Sequence, residues 1–108
     1  MNNQAKRYLS NLTKKNRTSV INNHLDVIDL FLEHGTLAIP QIARLTKPHF
    51  PTRRVMVNLS RFEVIRRTGK EGLWYFQKQT ITAPDYELTD NATDYVALLM
   101  DIRDHANE

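Results

Sequence analysis

Apolar residues recur at helical spacing along most of this chain and give way to a β-type pattern once. Within residues 51–62, Val55, Leu59 and Phe62 stand at i, i+4 and i+7 and so share one helical face. At about 100° per residue, Arg53, Val57 and Ser60 point the opposite way, with Arg54 and Arg61 on the flanks. Two β-prone runs follow, Val64-Ile65-Arg66-Arg67 and Leu73-Trp74-Tyr75-Phe76, around Thr68-Gly69-Lys70-Glu71-Gly72. This arrangement predicts a short β-hairpin whose turn is the glycine-bounded segment. Alternation places Trp74 and Phe76 on one strand face and Tyr75 on the other, with at least one face packed on the helices.

The remaining pattern is mostly helical. Ala5, Tyr8, Leu9 and Leu12 make a narrow stripe over residues 2–13, which reads either as a helix or as a disordered basic arm. Residues 23–34 predict a helix capped by Asn22 or Asn23, with Asp26 in its first turn and Leu25, Ile28 and Leu32 as its stripe. Gly35 ends it, and Thr36-Leu37-Ala38 suits a very short strand. Pro40 opens a helix over residues 40–45, and a proline-bounded connection leads on to residue 51. Residues 79–87 read as irregular, because Pro84 argues against a continuous central strand. Thr89 or Asp90 caps a last helix in which Ala92, Tyr95, Val96, Leu99 and Ile102 form a stripe, with Leu98 alongside.

The expected fold is therefore mainly α with a small β-hairpin, an α+β class. Three segments are expected: an N-terminal arm or helix over residues 1–19, a central domain over 20–78, and a linker with a C-terminal helix over 79–108.

Composition narrows the function. The chain has 108 residues, 41% of them hydrophobic and 25% charged, as in an ordinary globular domain. It contains no cysteine, so no disulfide framework or thiolate metal site is expected. No segment reads as a signal peptide or a membrane span, and a cytoplasmic, nucleoid-associated protein is expected. The net charge of +3 conceals an asymmetry: residues 1–78 carry 14 Lys and Arg against 5 Asp and Glu, whereas residues 79–108 carry 1 against 7. A basic body attracts a polyanion, and an acidic segment is repelled by one.

His24, His34, His49 and His105 are scattered without ligand spacing, so neither a metal nor a cofactor is expected. There is no Gly-rich phosphate loop and no nucleophile with a partner base, which argues against an enzyme.

From Leu25 to Gln77 the chain resembles the winged helix-turn-helix domain of bacterial and phage DNA-binding regulators. The cues are Gly35-Thr36-Leu37, Ile39-Pro40-Gln41-Ile42-Ala43, the arginine helix, and Val64-Ile65-Arg66-Arg67 leading into the wing. The resemblance implies that residues 51–62 lie in the major groove and that the hairpin touches the backbone or minor groove. It carries over to Arg53, Arg54, Val57, Asn58 and Arg61 on the helix, and to Arg66, Arg67 and Lys70 around the wing. Lys47 and His49, in the preceding turn, are further backbone candidates. Two departures stand out. Glu63 occupies a position where many members have glycine, and the turn before the arginine helix is longer than usual.

The residue types suit duplex DNA. Arginine's planar fork matches guanine O6 and N7, so Arg53 and Arg54 in the first turn are the leading base readers. Val57 would meet a thymine methyl, and Asn58 would read adenine from a position nearer the core side. Arg61, Arg66, Arg67 and Lys70 suit phosphate, which brings affinity without sequence information.

The last helix carries a stripe long enough to suggest a partner surface. A homodimer is expected through Tyr95, Val96, Leu99 and Ile102, joined by Tyr8, Leu9 and Leu12; the alternative is that both terminal helices fold back on their own domain. The leading functional reading is a dimeric, sequence-specific duplex-DNA binder that regulates transcription by occupying an operator. The alternatives are an accessory factor for replication, partition or recombination of a mobile element, and a winged-helix module that binds protein.

Overall fold

The computed structural model describes residues 3–106. Eight elements follow in order: α1 (Asn3–Ser10), α2 (Lys14–His34), β1 (Thr36–Ala38), α3 (Ile39–Leu45), α4 (Thr52–Arg61), β2 (Ile65–Phe76), β3 (Gln79–Leu88) and α5 (Ala92–Ala106). The three strands form one antiparallel sheet in the order β1-β3-β2, so the class is α+β. The arrangement is compatible with a winged-helix-like one.

The N-terminal segment is helical. Ala5 and Leu9 of α1 are fully buried. Arg17 closes its C-terminal end, donating from Nε to the Leu9 carbonyl at 2.8 Å and from Nη2 to the Leu12 carbonyl at 2.9 Å. A residue that counted as arm charge in the sequence thus satisfies orphan helix carbonyls.

Helix α2 begins nine residues before the expected start at residue 23. Its cap is Thr13, whose Oγ1 accepts from the Asn16 N–H at 3.3 Å, not Asn22 or Asn23. Residues 14–19 include no large apolar side chain, so the periodicity starts later than the helix does. Its other end is the expected one: Gly35 has φ of 82° and donates to the Phe31 carbonyl at 2.8 Å.

The hairpin is longer than the sequence suggested, and its turn lies elsewhere. β2 runs unbroken through the predicted turn, and the chain reverses at Gln77 and Lys78, between the paired residues Phe76 and Gln79. Both turn residues are left-handed, with φ of 52° and 66°. A two-residue loop with two positive φ values is the hairpin turn usually written Asn-Gly, and Gln-Lys gives no such signal. The glycine-bearing segment is instead a bulge. Pairing passes from Arg67 opposite Tyr86 to Glu71 opposite Pro84, so residues 68–70 face residue 85 alone. Gly69 at φ of 93° turns the backbone there.

Residues 79–87 are accordingly not irregular; they form most of the central strand. Pro84 is tolerated because β1 ends its pairing at Asp85 and its own partner Glu71 directly adjoins the bulge.

Helix α4 ends in a double reversal: the Glu63 N–H donates to the Ser60 carbonyl at 3.0 Å and the Val64 N–H to the Leu59 carbonyl at 2.8 Å. Glu63 takes φ of 59°, the left-handed conformation that glycine would adopt without strain. Its carbonyl accepts from Thr89 Oγ1 and from Asn91 Nδ2, which ties the start of α5 to this corner.

One hydrophobic cluster spans the chain, from Ala5 and Leu9 through Phe31, Leu59 and Phe62 to Tyr95 and Leu99. The expected break at residue 19 falls inside α2, and the break at 78 falls in the hairpin turn.

Glu63→Gly is expected to stabilise the protein by about 0.5–1 kcal/mol. It relieves a left-handed cost of roughly 1–2 kcal/mol and loses part of this to the greater freedom of glycine in the unfolded chain. Urea unfolding at unchanged slope measures it, and Glu63→Ala serves as a control that shows no gain.

Candidate nucleic-acid interface

Helix α4 buries Val55, Met56, Leu59 and Phe62 on the core side. Helical geometry then leaves Arg53, Arg54, Val57, Ser60 and Arg61 outside, and all five are exposed. Val57, at 57% exposure, is a branched apolar side chain held in solvent at the centre of that face.

Asn58 does not belong to this face. It is 5% exposed and points inward, donating from Nδ2 to Tyr8 Oη at 3.3 Å and, more weakly, to His24 Nε2 at 3.5 Å. His24 is 1% exposed, and its Nδ1 lies 2.6 Å from Tyr95 Oη. With Asn58 donating to Nε2, the proton of the neutral imidazole sits on Nδ1 and is donated to Tyr95. Burial lowers the His24 pKa to about 4 and raises that of the Tyr95 phenol.

The basic candidates divide. Arg53 and Arg54 have no carboxylate partner among the described residues. No acidic residue occurs between Glu33 and Glu63. Arg61 leans away from them, its guanidinium 5.4 Å from the Tyr8 ring and 4.8 Å from the Phe62 ring. Arg66 is engaged with Glu87 at 2.9 Å, directly across the strand pair. Arg67 is exposed on β2, and Lys70 is exposed within the bulge rather than at the hairpin tip. Lys47 and His49 are exposed in the turn that precedes α4, where His49 takes φ of 67°.

The hairpin reaches back to the arginine helix. Phe76 and Gln77 at its tip, Arg53 and Arg54 of α4, and Ile39 and Ala43 of α3 line an open groove of about 620 Å³. Arg44 fastens the hairpin to α3: its Nη2 donates to the Tyr75 carbonyl at 2.6 Å, and its guanidinium lies 5.8 Å from the Trp74 ring. Trp74 and Phe76 are half-buried on that inner face, while Leu73 and Tyr75 are exposed on the outer one. The tip carries Lys78 beside the groove-lining Gln77, and sequence reasoning missed this lysine because it placed the turn at residues 68–72. Arg44 was missed as well. Its register on α3 carried no signal without the true hairpin length.

The stripe expected to pair two chains lies mostly within one. Tyr95 and Leu99 of α5 are 3% and 0% exposed, and Leu9 of α1 is 0% exposed. Val96, Ile102, Tyr8 and Leu12 pack on the same core and are partly covered. Within the chain Tyr95 meets His24 of α2 at 2.6 Å and the Phe62 ring at the end of α4, so α5 finds its covering surface on its own domain.

No family model matches the chain, and no curated protein or solved structure matches it.

The depressed His24 value sets an acid sensitivity. The unfolded imidazole binds its proton near pH 6.5 and the folded one only near 4, so stability is full above 6.5, falls as the pH drops from 6.5 to 4, and levels off below. The expected loss from this group is about 3 kcal/mol. Urea midpoints between pH 7 and 4 test it. His24→Gln is expected to be less stable at pH 7 but to lose less on acidification.

Proposed function

We propose that this chain binds duplex DNA sequence-specifically through α4, as a winged helix-turn-helix regulator that acts by occupying its site. The observation that carries the reading is the pair Arg53 and Arg54. They are exposed in the first turn of α4, without carboxylate partners among the described residues, and border the groove that the hairpin tip closes. The first turn of a recognition helix is the part that meets base edges. Val57, one turn on, offers a methyl-bearing surface suited to thymine.

Lys47 and His49 before the helix, Arg67 on β2 and Lys78 at the tip supply phosphate contacts in this reading. Asn58 has no part in it, being committed to the buried junction. Arg61 and Arg66 rank below the others because each already has an aromatic or acidic neighbour. Exposed ion pairs such as Arg66–Glu87 are weak, so DNA phosphate can still compete for that guanidinium.

Selection from a randomised duplex pool at low and moderate salt tests the reading. Wild type is expected to enrich one motif, and Arg53→Ala/Arg54→Ala to lose it with at least about a tenfold fall in affinity, in line with roughly 1–3 kcal/mol per base-reading side chain. A two-fold symmetric motif would report two copies on one site. Binding without an enriched motif would replace regulation by an architectural role, and no binding by either protein would end the DNA reading.

Lys78→Ala distinguishes the observed hairpin tip from the expected one. It is expected to weaken binding equally on all sequences and to lower the salt slope by about one phosphate.

A further inference from the structure

A second hollow, of mixed polar and apolar lining, lies on the other flank of Arg54. It occupies about 240 Å³ between α2 and α4, and its far end is closed by Tyr8 and Leu12. Asn16, Ser19 and Asn23 stand at i, i+3 and i+7, so one ridge of α2 presents three neutral hydrogen-bonding side chains to it. Across from them are Arg54 and, at the buried floor, Asn58 and His24.

Two helices packed against a core ordinarily fill the groove between them with apolar side chains. Here Val20, Pro51 and Val55 share the lining with groups that have bonding capacity to spare. Among the described residues, the side chains of Asn16, Ser19, Asn23 and Arg54 make no hydrogen bond or ion pair within the chain. The Asn58 Nδ2 and both His24 ring nitrogens are already engaged with Tyr8, Tyr95 and each other. The free groups are therefore one guanidinium, two amides and one hydroxyl. The first acidic residue of α2 is Asp26, beyond the hollow. One cation with converging neutral donors and no carboxylate is the complement of a single anionic group.

We propose that the α2–α4 groove is an anion site that takes one phosphate or carboxylate group, with Arg54 supplying charge and Asn16, Ser19 and Asn23 supplying hydrogen bonds. The same chemistry has two sources: a backbone phosphate of bound duplex, or a small free anion. Arg54 lines both this groove and the one beside the hairpin tip. An anion held on the α2 side draws on the guanidinium that the DNA reading assigns to the groove face. This coupling rests on the proposed function; the anion site itself does not.

The experiment titrates the full chain with inorganic phosphate against chloride at constant ionic strength and follows thermal unfolding, for wild type, Ser19→Ala and Asn23→Leu. The expected result is a saturable rise in Tm for wild type, with apparent affinity at least about fivefold weaker in both variants. Duplex binding in phosphate-free buffer then separates the sources. Weaker binding of every duplex by the two variants, with phosphate competing in wild type, identifies a DNA phosphate as the occupant. Wild-type duplex binding by both variants, with only wild type responding to added phosphate, identifies a free anion. An unsaturable response, or variants that respond as wild type does, overturns the site. Failure of wild type to bind any duplex would end the DNA reading and leave the phosphate titration to stand or fall alone.

Discussion

Four helices meet at one buried imidazole. His24 of α2 faces Tyr95 of α5 at 2.6 Å and Asn58 of α4 at 3.5 Å, and Asn58 reaches Tyr8 of α1 at 3.3 Å. His24, Asn58 and Tyr95 are buried and Tyr8 is half-buried, and a buried donor or acceptor without a partner costs about 1–3 kcal/mol. The junction therefore constrains all four helices at once. Its main consequence lies on α4. With Asn58 turned inward, helical geometry sends Arg53 and Val57 outward, whereas Arg54, one turn before Asn58, stands on the flank at the edge of the hollow that Asn58 floors.

The second constraint is at the end of α4. Glu63 accepts a left-handed backbone so that Val64 and Ile65 can enter the core as β2 begins. Thr89 and Asn91 hold its carbonyl, which fixes where α5 starts relative to where α4 stops. The long hairpin leaves from this corner. The bulge at residues 68–70 breaks its regular pairing, and Arg44 fastens its inner face to α3, with the tip beside the first turn of α4. The basic face is thus assembled from a helix and a turn that lie far apart in the chain.

How much of this could be read beforehand varied with the kind of signal. Helix α4 was legible because Val55, Leu59 and Phe62 repeat at helical spacing and prolines bound its start. The end of α2 was legible because Gly35 marks a left-handed cap. Its beginning was not, because residues 14–19 lie where the helix needs little apolar surface. The hairpin misled for a chemical reason: its bulge carries Gly69, Gly72 is paired within the strand, and its turn carries Gln77 and Lys78. Pro84 misled for a topological one, since whether a strand position is free on one side depends on where a distant strand ends. Of the site residues, Arg53, Arg54 and Val57 followed from the helical wheel, whereas Asn58, Lys78 and the fate of the α5 stripe did not.

The sequence by itself determined the helices with strong apolar periodicity, the α+β class, the basic bias of residues 1–78 and the outward arginines of residues 53 and 54. These are local properties, set by spacing along a few turns of chain. Tertiary structure decided which polar residues are buried, where the hairpin turns, and whether α5 covers its own domain. Each of those depends on what another segment offers: Tyr8 and His24 for Asn58, the end of β1 for Pro84, and His24 and Phe62 for Tyr95. A hydrogen-bond partner or a covering surface tens of residues away leaves no periodicity in the local pattern, so only the folded chain reveals it.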